Sequence, residues 1–221
     1  MKRLLDLSLS LAAALVFLPV GLVIAAVLCL TGEGEVFYRQ ERVGRDGKSF
    51  GLLKFATMLK RSPSIGTGTI TLKNDPRVLP FGRFLRKTKL NEVPQVLNVL
   101  KGDMSLVGPR PLTPQTFAFY PPEVQREIVR VRPGLTGVGS IVFRDEESIL
   151  GRSPRSAVDC YREEIAPRKG RLELWYLQNR SFWLDLRIIL LTLVVVAVPR
   201  SRWHHRLLAA AEAEAAATVA V

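Results

Sequence analysis

The stretch NEVPQVLNVLKGDMSLVGPRP, residues 91–111, gathers side chains that could do chemistry. A carboxylate, Glu92, stands beside an amide, Asn91, at the head of a short apolar run, and Arg110 follows between two prolines. Arg83, Arg86 and Lys87 precede Glu92 within nine residues, and Arg132 opens a second Arg-Pro-Gly turn. A guanidinium offers paired donors to phosphate oxygens, and a helix N-terminus offers free N–H groups to an anion. A carboxylate among such cations can hold Mg²⁺ on a diphosphate or attack phosphorus itself. The plainer reading of Glu92 is a first-turn helix acid. Each arginine alone is unremarkable, and only the cluster points to phosphate chemistry.

The surrounding pattern supplies elements to position these groups. Val93, Val96, Leu97 and Leu100 recur at i, i+3, i+4, i+7 and predict one buried helical face. Pro94 suits the first turn of that helix and Gly102 its end. Residues 34–58 alternate polar and apolar around Gly44 and the Asp46-Gly47 pair, a hairpin signal. Residues 61–82 are rich in Gly, Ser, Thr and Pro and read as loop, after which GRFLRKTKLNE begins a helical pattern. YPPEVQREIVRVRPGLTGVGSIV gives another short helix and a Pro-Gly turn. No internal repeat is visible, and GTGTIT lacks the lysine of a nucleotide-binding phosphate loop.

At 221 residues the chain is long enough for one catalytic domain with attachments. Lys and Arg outnumber Asp and Glu by 32 to 20, which favours polyanionic partners or an anionic membrane face. A nucleic-acid binder is disfavoured, because the aromatics flank the C-terminal apolar run instead of the central basic patch. Cys29 and Cys160 make no disulfide framework, and the adjacent His204 and His205 make no zinc site.

Leu4 to Gly32 is apolar with Asp6 its only charge, long enough to cross a bilayer core and a poor fit to a cleaved signal peptide. Lys2 and Arg3 precede it, and Arg39, Arg42, Arg45 and Lys48 follow, so charge bias draws both ends to the cytoplasmic face. A helix broken at Pro19, entering and leaving on one side, satisfies both ends and is favoured over a plain span. Residues 171–198 turn apolar again behind Trp175, Tyr176 and Trp183, as either an interfacial helix or a core helix. The expected division is a membrane helix over 1–33, a catalytic domain over 34–198 and an Ala-rich tail, a weak helix at best, over 199–221.

KRLLDLSLSL, VFYRQERVG, LLKF, FGRFLRKT, NEVPQVLNVLKGDMSLVGPRPL, VRPGLTG and LWYLQNRSFWLDLRIILLT together resemble the bacterial sugar transferases, the monotopic polyprenyl-phosphate phosphoglycosyl transferases, from about residue 2 to 197. The resemblance implies an α/β, mostly helical, membrane-associated domain with an N-terminal re-entrant helix broken at Pro19 and interfacial amphipathic helices. It implies transfer of a sugar-1-phosphate from a UDP-sugar to polyprenyl phosphate with Mg²⁺, releasing UMP at the cytoplasmic face of the bacterial inner membrane, as an opening step of surface glycan assembly. The expected partners are a UDP-sugar, polyprenyl phosphate and the lipid bilayer. No nucleic acid is expected, and a homodimer is compatible with the resemblance. The chain corresponds to the family's minimal catalytic unit, with no preceding block of membrane helices.

The family usually carries Asp-Glu at positions 91 and 92, the aspartate as nucleophile. Asn91-Glu92, Ala56 in KFATM and the segment VGSIVFRDEE (138–147) place this chain in a distinct branch. The catalytic candidates are therefore Glu92, also the metal ligand, with Asn91, and Asp145 as a replacement for the lost charge. Glu146 and Glu147 are further candidates, although a solvated acidic turn explains all three equally well. Lys54, Arg86, Arg110, Pro111 and Arg132 are the candidates for holding substrate phosphate. The competing expectation is a catalytically weakened relative that binds nucleotide sugar, or serves as a membrane scaffold, without turnover.

Overall fold

The computed structural model describes residues 1–65, 70–72 and 74–198, together with Ala209 and Ala213. The tail as a unit, the His204-His205 pair and most of GTGTIT lie outside the described residues. In chain order the elements are α1 (Lys2–Leu30), β1 (Phe37–Val43), β2 (Ser49–Phe55), α2 (Pro80–Lys87), α3 (Gln95–Lys101), β3 (Ser105–Val107) and α4 (Pro114–Phe117). They continue with α5 (Pro122–Ile128), β4 (Gly134–Thr136), α6 (Val138–Val142), α7 (Glu146–Arg152), α8 (Ala157–Cys160), α9 (Ala166–Asn179) and α10 (Phe182–Ala197). The fold is mostly helical, with two small two-stranded sheets.

The long apolar helix is fastened to the domain at both ends. Asp6, 3% exposed, accepts hydrogen bonds from the Ser105 hydroxyl at 2.9 Å and the Leu106 N–H at 3.0 Å. Lys2 donates to the Asp185 carboxylate at 2.5 Å and to the Val107 carbonyl at 3.0 Å. Arg3 donates to the Val99 and Leu100 carbonyls at the end of α3, where a cation meets the helix dipole favourably. Near the other end, Ile24 and Leu28 pack with Phe55 and Leu85. Between these anchors Leu11, Leu15, Val16, Leu18, Leu22 and Val23 are exposed. The break expected at Pro19 is not seen: α1 is continuous with Pro19 inside it. A proline removes a single N–H from the ladder, and the bonds before and after it carry the helix past.

β1 and β2 form the expected hairpin, in register from Phe37 opposite Phe55 to Val43 opposite Ser49. Its turn holds Asp46 and Gly47 at φ 57° and 72°, the left-handed conformations such a turn needs. α3 is rotated from the expected face. Gln95, Val96, Asn98 and Val99 are buried, while Leu97 is 49% exposed. The reason is Asn98, whose Oδ1 accepts from the Leu53 N–H and whose Nδ2 donates to the Gly51 carbonyl, both at 2.9 Å. The amide thereby pins α3 to β2, and an apolar count alone places the helix one step off.

β3 and β4 pair in parallel, Ser105 opposite Gly134 and Val107 opposite Thr136. The turns beyond them approach backbone to backbone: a Cβ on Gly134 would lie 2.2 Å from the Gly108 nitrogen, and one on Gly137 2.3 Å from the Gly108 oxygen. The main core lies beneath, built from Val107, Tyr120, Val124, Ile165, Leu172 and Ile188. α10 resolves the choice left open by its sequence. Ile188, Leu191 and Val195 enter the core, while Trp183 and Leu193, 68% and 61% exposed, form an apolar outer face.

Replacing Asn98 by Ala is expected to cost about 2 kcal/mol, since two partly buried backbone groups lose their partner. An unfolding midpoint lowered by ~6 °C would register it. An unchanged midpoint would show that Asn98 does not fasten α3 to β2.

Candidate active site

Glu92 sits in the short turn Leu90–Glu92 just ahead of α3, reached through Lys89 in a left-handed conformation at φ 60°. Arg110 comes from the loop after β3. That loop is held by the Gly108 and Gly134 contact, by a bond from the Gly134 N–H to the Pro109 carbonyl at 2.8 Å, and by the Arg42 guanidinium on the Pro111 carbonyl at 2.9 Å. The two side chains meet with Arg110 Nη2 3.4 Å from Glu92 Oε1. Lys54 arrives from β2, and Arg42 projects from the same face of the hairpin. Arg86, from α2, is held by Glu147 at 2.5 Å and touches Met58 Sδ at 3.8 Å.

The charges in this cluster are strongly coupled. Burial raises the pKa of Glu92, but Arg110, Lys54 and Lys89 and the Arg110 hydrogen bond outweigh it and hold the carboxyl at about 2. Lys54 falls to about 7, chiefly through burial and then through Arg42, Arg110 and Arg86, against the pull of Glu92. Arg42 falls to about 10, through burial and then Arg110. The pocket holds more positive charge than Glu92 balances.

Beneath the loop lies Glu173, 2% exposed, whose Oε1 accepts from the Arg110 N–H at 3.4 Å while Oε2 finds no partner. Burial lifts its pKa to about 7 against Arg110 and Lys169. Lys169 pairs with Glu146 and stands over the Tyr161 and Phe143 rings, and Glu146 in turn acts on Arg110. Tyr161 lies in the π-helical turn Tyr161–Ile165 joining α8 to α9, a distortion common at functional sites.

Of the residues singled out from the sequence, Glu92, Lys54, Arg86, Arg110 and Pro111 converge. Asn91 adjoins them, 6% exposed with its Oδ1 unpaired. Two do not join. Asp145 is 73% exposed and leans on its neighbour Arg144 at 3.4 Å, and the adjacent Glu146 takes the inward position instead. Arg132 donates to the Gly102 carbonyl at 2.8 Å and lines a different cavity. Sequence reasoning missed Arg42 and Glu173 as site residues. The hairpin register would have found Arg42, two steps from Gln40 and four from Tyr38, which faces Lys54. Glu173 stands in a helical apolar stretch, where an acid is expected at the surface, and nothing in the sequence marks it as buried.

Among the described residues no three Asp, Glu, His or Cys side chains converge as a cage for a cation. Mg²⁺ on a diphosphate needs only one or two carboxylates, the phosphates completing its shell. Glu92, ionised and with its side chain 20% exposed, fits that requirement.

Fold and site define a domain with a cation-rich pocket beside an apolar helix. Of the described helices, α1 is the one long and apolar enough to cross a membrane, by length and composition. Residues 1–199 match the bacterial sugar transferase family, and the chain belongs to it. It is 33% identical over 216 residues to the exopolysaccharide production protein ExoY of Rhizobium meliloti, covering 91% of this chain and 88% of that one. It is 37% identical over 198 residues to the uncharacterized sugar transferase EpsL of Bacillus subtilis, covering 90% and 88%. A third relative, the UDP-glucose:undecaprenyl-phosphate glucose-1-phosphate transferase of Xanthomonas campestris pv. campestris, is 36% identical over 199 residues, which is 88% of this chain and 38% of that one.

Glu173 generates a pH prediction. Its folded pKa of about 7 lies above the ordinary 4.5, so its contribution to stability is complete below pH 4.5 and is lost as pH rises through 7. Glu173→Gln, which keeps an acceptor for the Arg110 N–H, should remove this dependence. Its unfolding free energy should gain on the wild type by about 1 kcal/mol per pH unit between pH 5 and 7. Parallel pH profiles would show that Glu173 is not held neutral.

Proposed function

We propose that this protein transfers a sugar-1-phosphate from a UDP-sugar to polyprenyl (undecaprenyl) phosphate, giving a polyprenyl diphosphate sugar and UMP. The carrying observation is the position of the Glu92 and Arg110 pair. Lys54 and Arg86 adjoin Phe55 and Leu85, which pack with Ile24 and Leu28 of α1, and Glu92 follows two residues after Leu90, which lies against the same cluster. A water-soluble diphosphate and a lipid-borne phosphate can therefore meet at one set of cations. Relatives named for UDP-glucose and undecaprenyl phosphate support these as donor and acceptor classes.

Several features support a re-entrant path for α1 at the cytoplasmic face of the inner membrane. Asp6, Ser10, Ile24 and Leu28 are buried, so residues 11–23 form the longest stretch of α1 without a buried side chain. At 1.5 Å per residue they reach about 20 Å, short of the roughly 30 Å hydrocarbon core. The apolar outer face of α10 suits the same interface.

In the reaction the donor diphosphate settles between Arg110, Arg42, Lys54 and Arg86. Its negative charge raises the Lys54 pKa, so Lys54 takes up a proton on binding near pH 7 and remains charged. An oxygen of the polyprenyl phosphate attacks the sugar-bearing phosphorus. The bond from that phosphorus to the bridging oxygen breaks, and UMP leaves with the electron pair. Glu92, with a pKa of about 2, is a weak base and a weak nucleophile, suited to binding positive charge. Mg²⁺, when bound on Glu92, supplies neutralisation of the diphosphate. Asn91 cannot form a phosphoryl-carboxylate, so a single displacement replaces the family's two-step route.

Glu92→Gln should lower UMP release from UDP-sugars, in membranes supplied with polyprenyl phosphate, by at least about 100-fold. Undiminished release would rule out the role given to Glu92. Without acceptor the wild type should release no burst of UMP, whereas Asn91→Asp should acquire one. A wild-type burst, with a phosphosugar adduct mapped to Glu92 or Asp145, would overturn the single displacement. The unpaired amide of Asn91 favours a second reading, a nucleotide-sugar-binding or scaffold protein without turnover. Wild-type protein inactive on every UDP-sugar would establish that reading.

A further inference from the structure

A cavity of about 670 Å³ lies between the first turn of α1, β3, the 130–132 turn and the α9–α10 junction, and the Glu92 cluster does not line it. Six cations do: Lys2, Arg3, Arg45, Arg130, Arg132 and Arg180. The two carboxylates in its wall are already committed. Asp6 holds the Ser105 hydroxyl and the Leu106 N–H, and Asp185 holds Lys2 and the Tyr176 hydroxyl. Among the described residues Arg45 and Arg130 form exposed pairs, with Asp46 at 3.6 Å and Glu127 at 3.0 Å, which contribute little. Among the described residues Arg3 and Arg132 donate to carbonyls, at Val99, Leu100 and Gly102. Arg180 is exposed and forms no ion pair among the described residues.

Capping the end of α3 explains Arg3 and Arg132, but not the convergence of Arg45, Arg130 and Arg180 on the same space. The surplus charge calls for an anion with several acceptor oxygens, which guanidinium groups hold in pairs. The rim is apolar: Phe182 lines the cavity at 45% exposure, Trp183 beside it is 68% exposed, and Leu4 on α1 is 73% exposed. Both apolar helices begin here, so the opening faces the surface that α1 and α10 turn toward lipid.

We propose that this chamber is a second phosphate site, separate from the Glu92 cluster, that takes the phosphodiester headgroup of an anionic phospholipid. It rests on the membrane placement of α1 and α10 and not on turnover at Glu92.

The test uses the full chain in neutral detergent, with three separate additions: dioleoylphosphatidylglycerol, dioleoylphosphatidylcholine and inorganic phosphate. At tenfold excess over its Kd, phosphatidylglycerol should raise the unfolding midpoint by about 4 °C, and phosphatidylcholine should not. The double variant R130Q/R180Q should lose at least half of that rise, and R130K/R180K should recover it. Should R130Q/R180Q fold poorly without lipid, R45Q on the exposed hairpin turn serves in its place. A Gln-sensitive rise with inorganic phosphate alone would keep the site and assign it a soluble phosphate instead of a headgroup. Equal rises in wild type and Gln variants, equal rises with both lipids, or no rise with either anion would overturn the proposal.

Discussion

An excess of positive charge held in place by the backbone is the constraint on which this molecule depends. Glu92 is ionised because Arg110, Lys54 and Lys89 surround it, yet those cations outnumber it. The surplus shows in Lys54 and Arg42, both drawn below their ordinary values by burial and then by neighbouring guanidinium groups, Arg42 and Arg110 on Lys54 and Arg110 on Arg42. Flexible cations would swing into water and relax the repulsion. Here Arg42 is tied to the Pro111 carbonyl and Arg86 to Glu147, and the Arg110 backbone is held over Glu173. A fixed array of cations that only a polyanion can satisfy is a preorganised electrostatic site, which needs little rearrangement when charge develops in a diphosphate.

Rigidity of that kind has to be built from short elements. The longest helix, α1, lies at the edge of the domain, and the site rests on turns. Two glycine turns touch where no side chain fits, which fixes the loop carrying Arg110 relative to β4. Asn98 stitches α3 to β2, so Glu92 and Lys54 move together. The polar anchors of Lys2, Arg3 and Asp6 then register α1 against the same β3 that leads into the Arg110 loop. The apolar helix and the charged pocket thus share one frame.

The parts legible in the sequence are those written in local chemistry. The Asp46-Gly47 turn announces the hairpin, and the uninterrupted apolar run announces α1. The clustering of Glu92, Arg86 and Arg110 is visible in residue types before any fold is drawn. What escaped depends on long-range contacts. The α3 face was misplaced because Asn98, a polar residue, is the most constrained position on it. Glu173 was invisible because its burial arises from Gly137 and Gly139 of another segment lying against it. Arg132 looked like a site residue by analogy with Arg110, since both flank Pro-rich turns. Their turns do touch, but the side chains leave on different sides, one to Glu92 and one to Gly102.

Asn91 and the acidic segment at 145–147 bear on each other through the same charge balance. An aspartate at position 91 would set a second carboxylate beside Glu92 and reduce the surplus of cations directly. The amide leaves that surplus in place, and its own Oδ1 remains unpaired in the interior. Two acids from α7 instead meet cations at the periphery, Glu147 on Arg86 and Glu146 on Lys169. Both lie at the end of the segment 138–147. Negative charge placed there steadies the outer cations without occupying the space next to Glu92. The centre stays more positive than an Asp-Glu pair would leave it, and the single displacement proposed above draws on that charge to hold a diphosphate. The amide at 91 and the acidic turn act on one electrostatic quantity: the first leaves the centre positive, and the second balances cations at its edge.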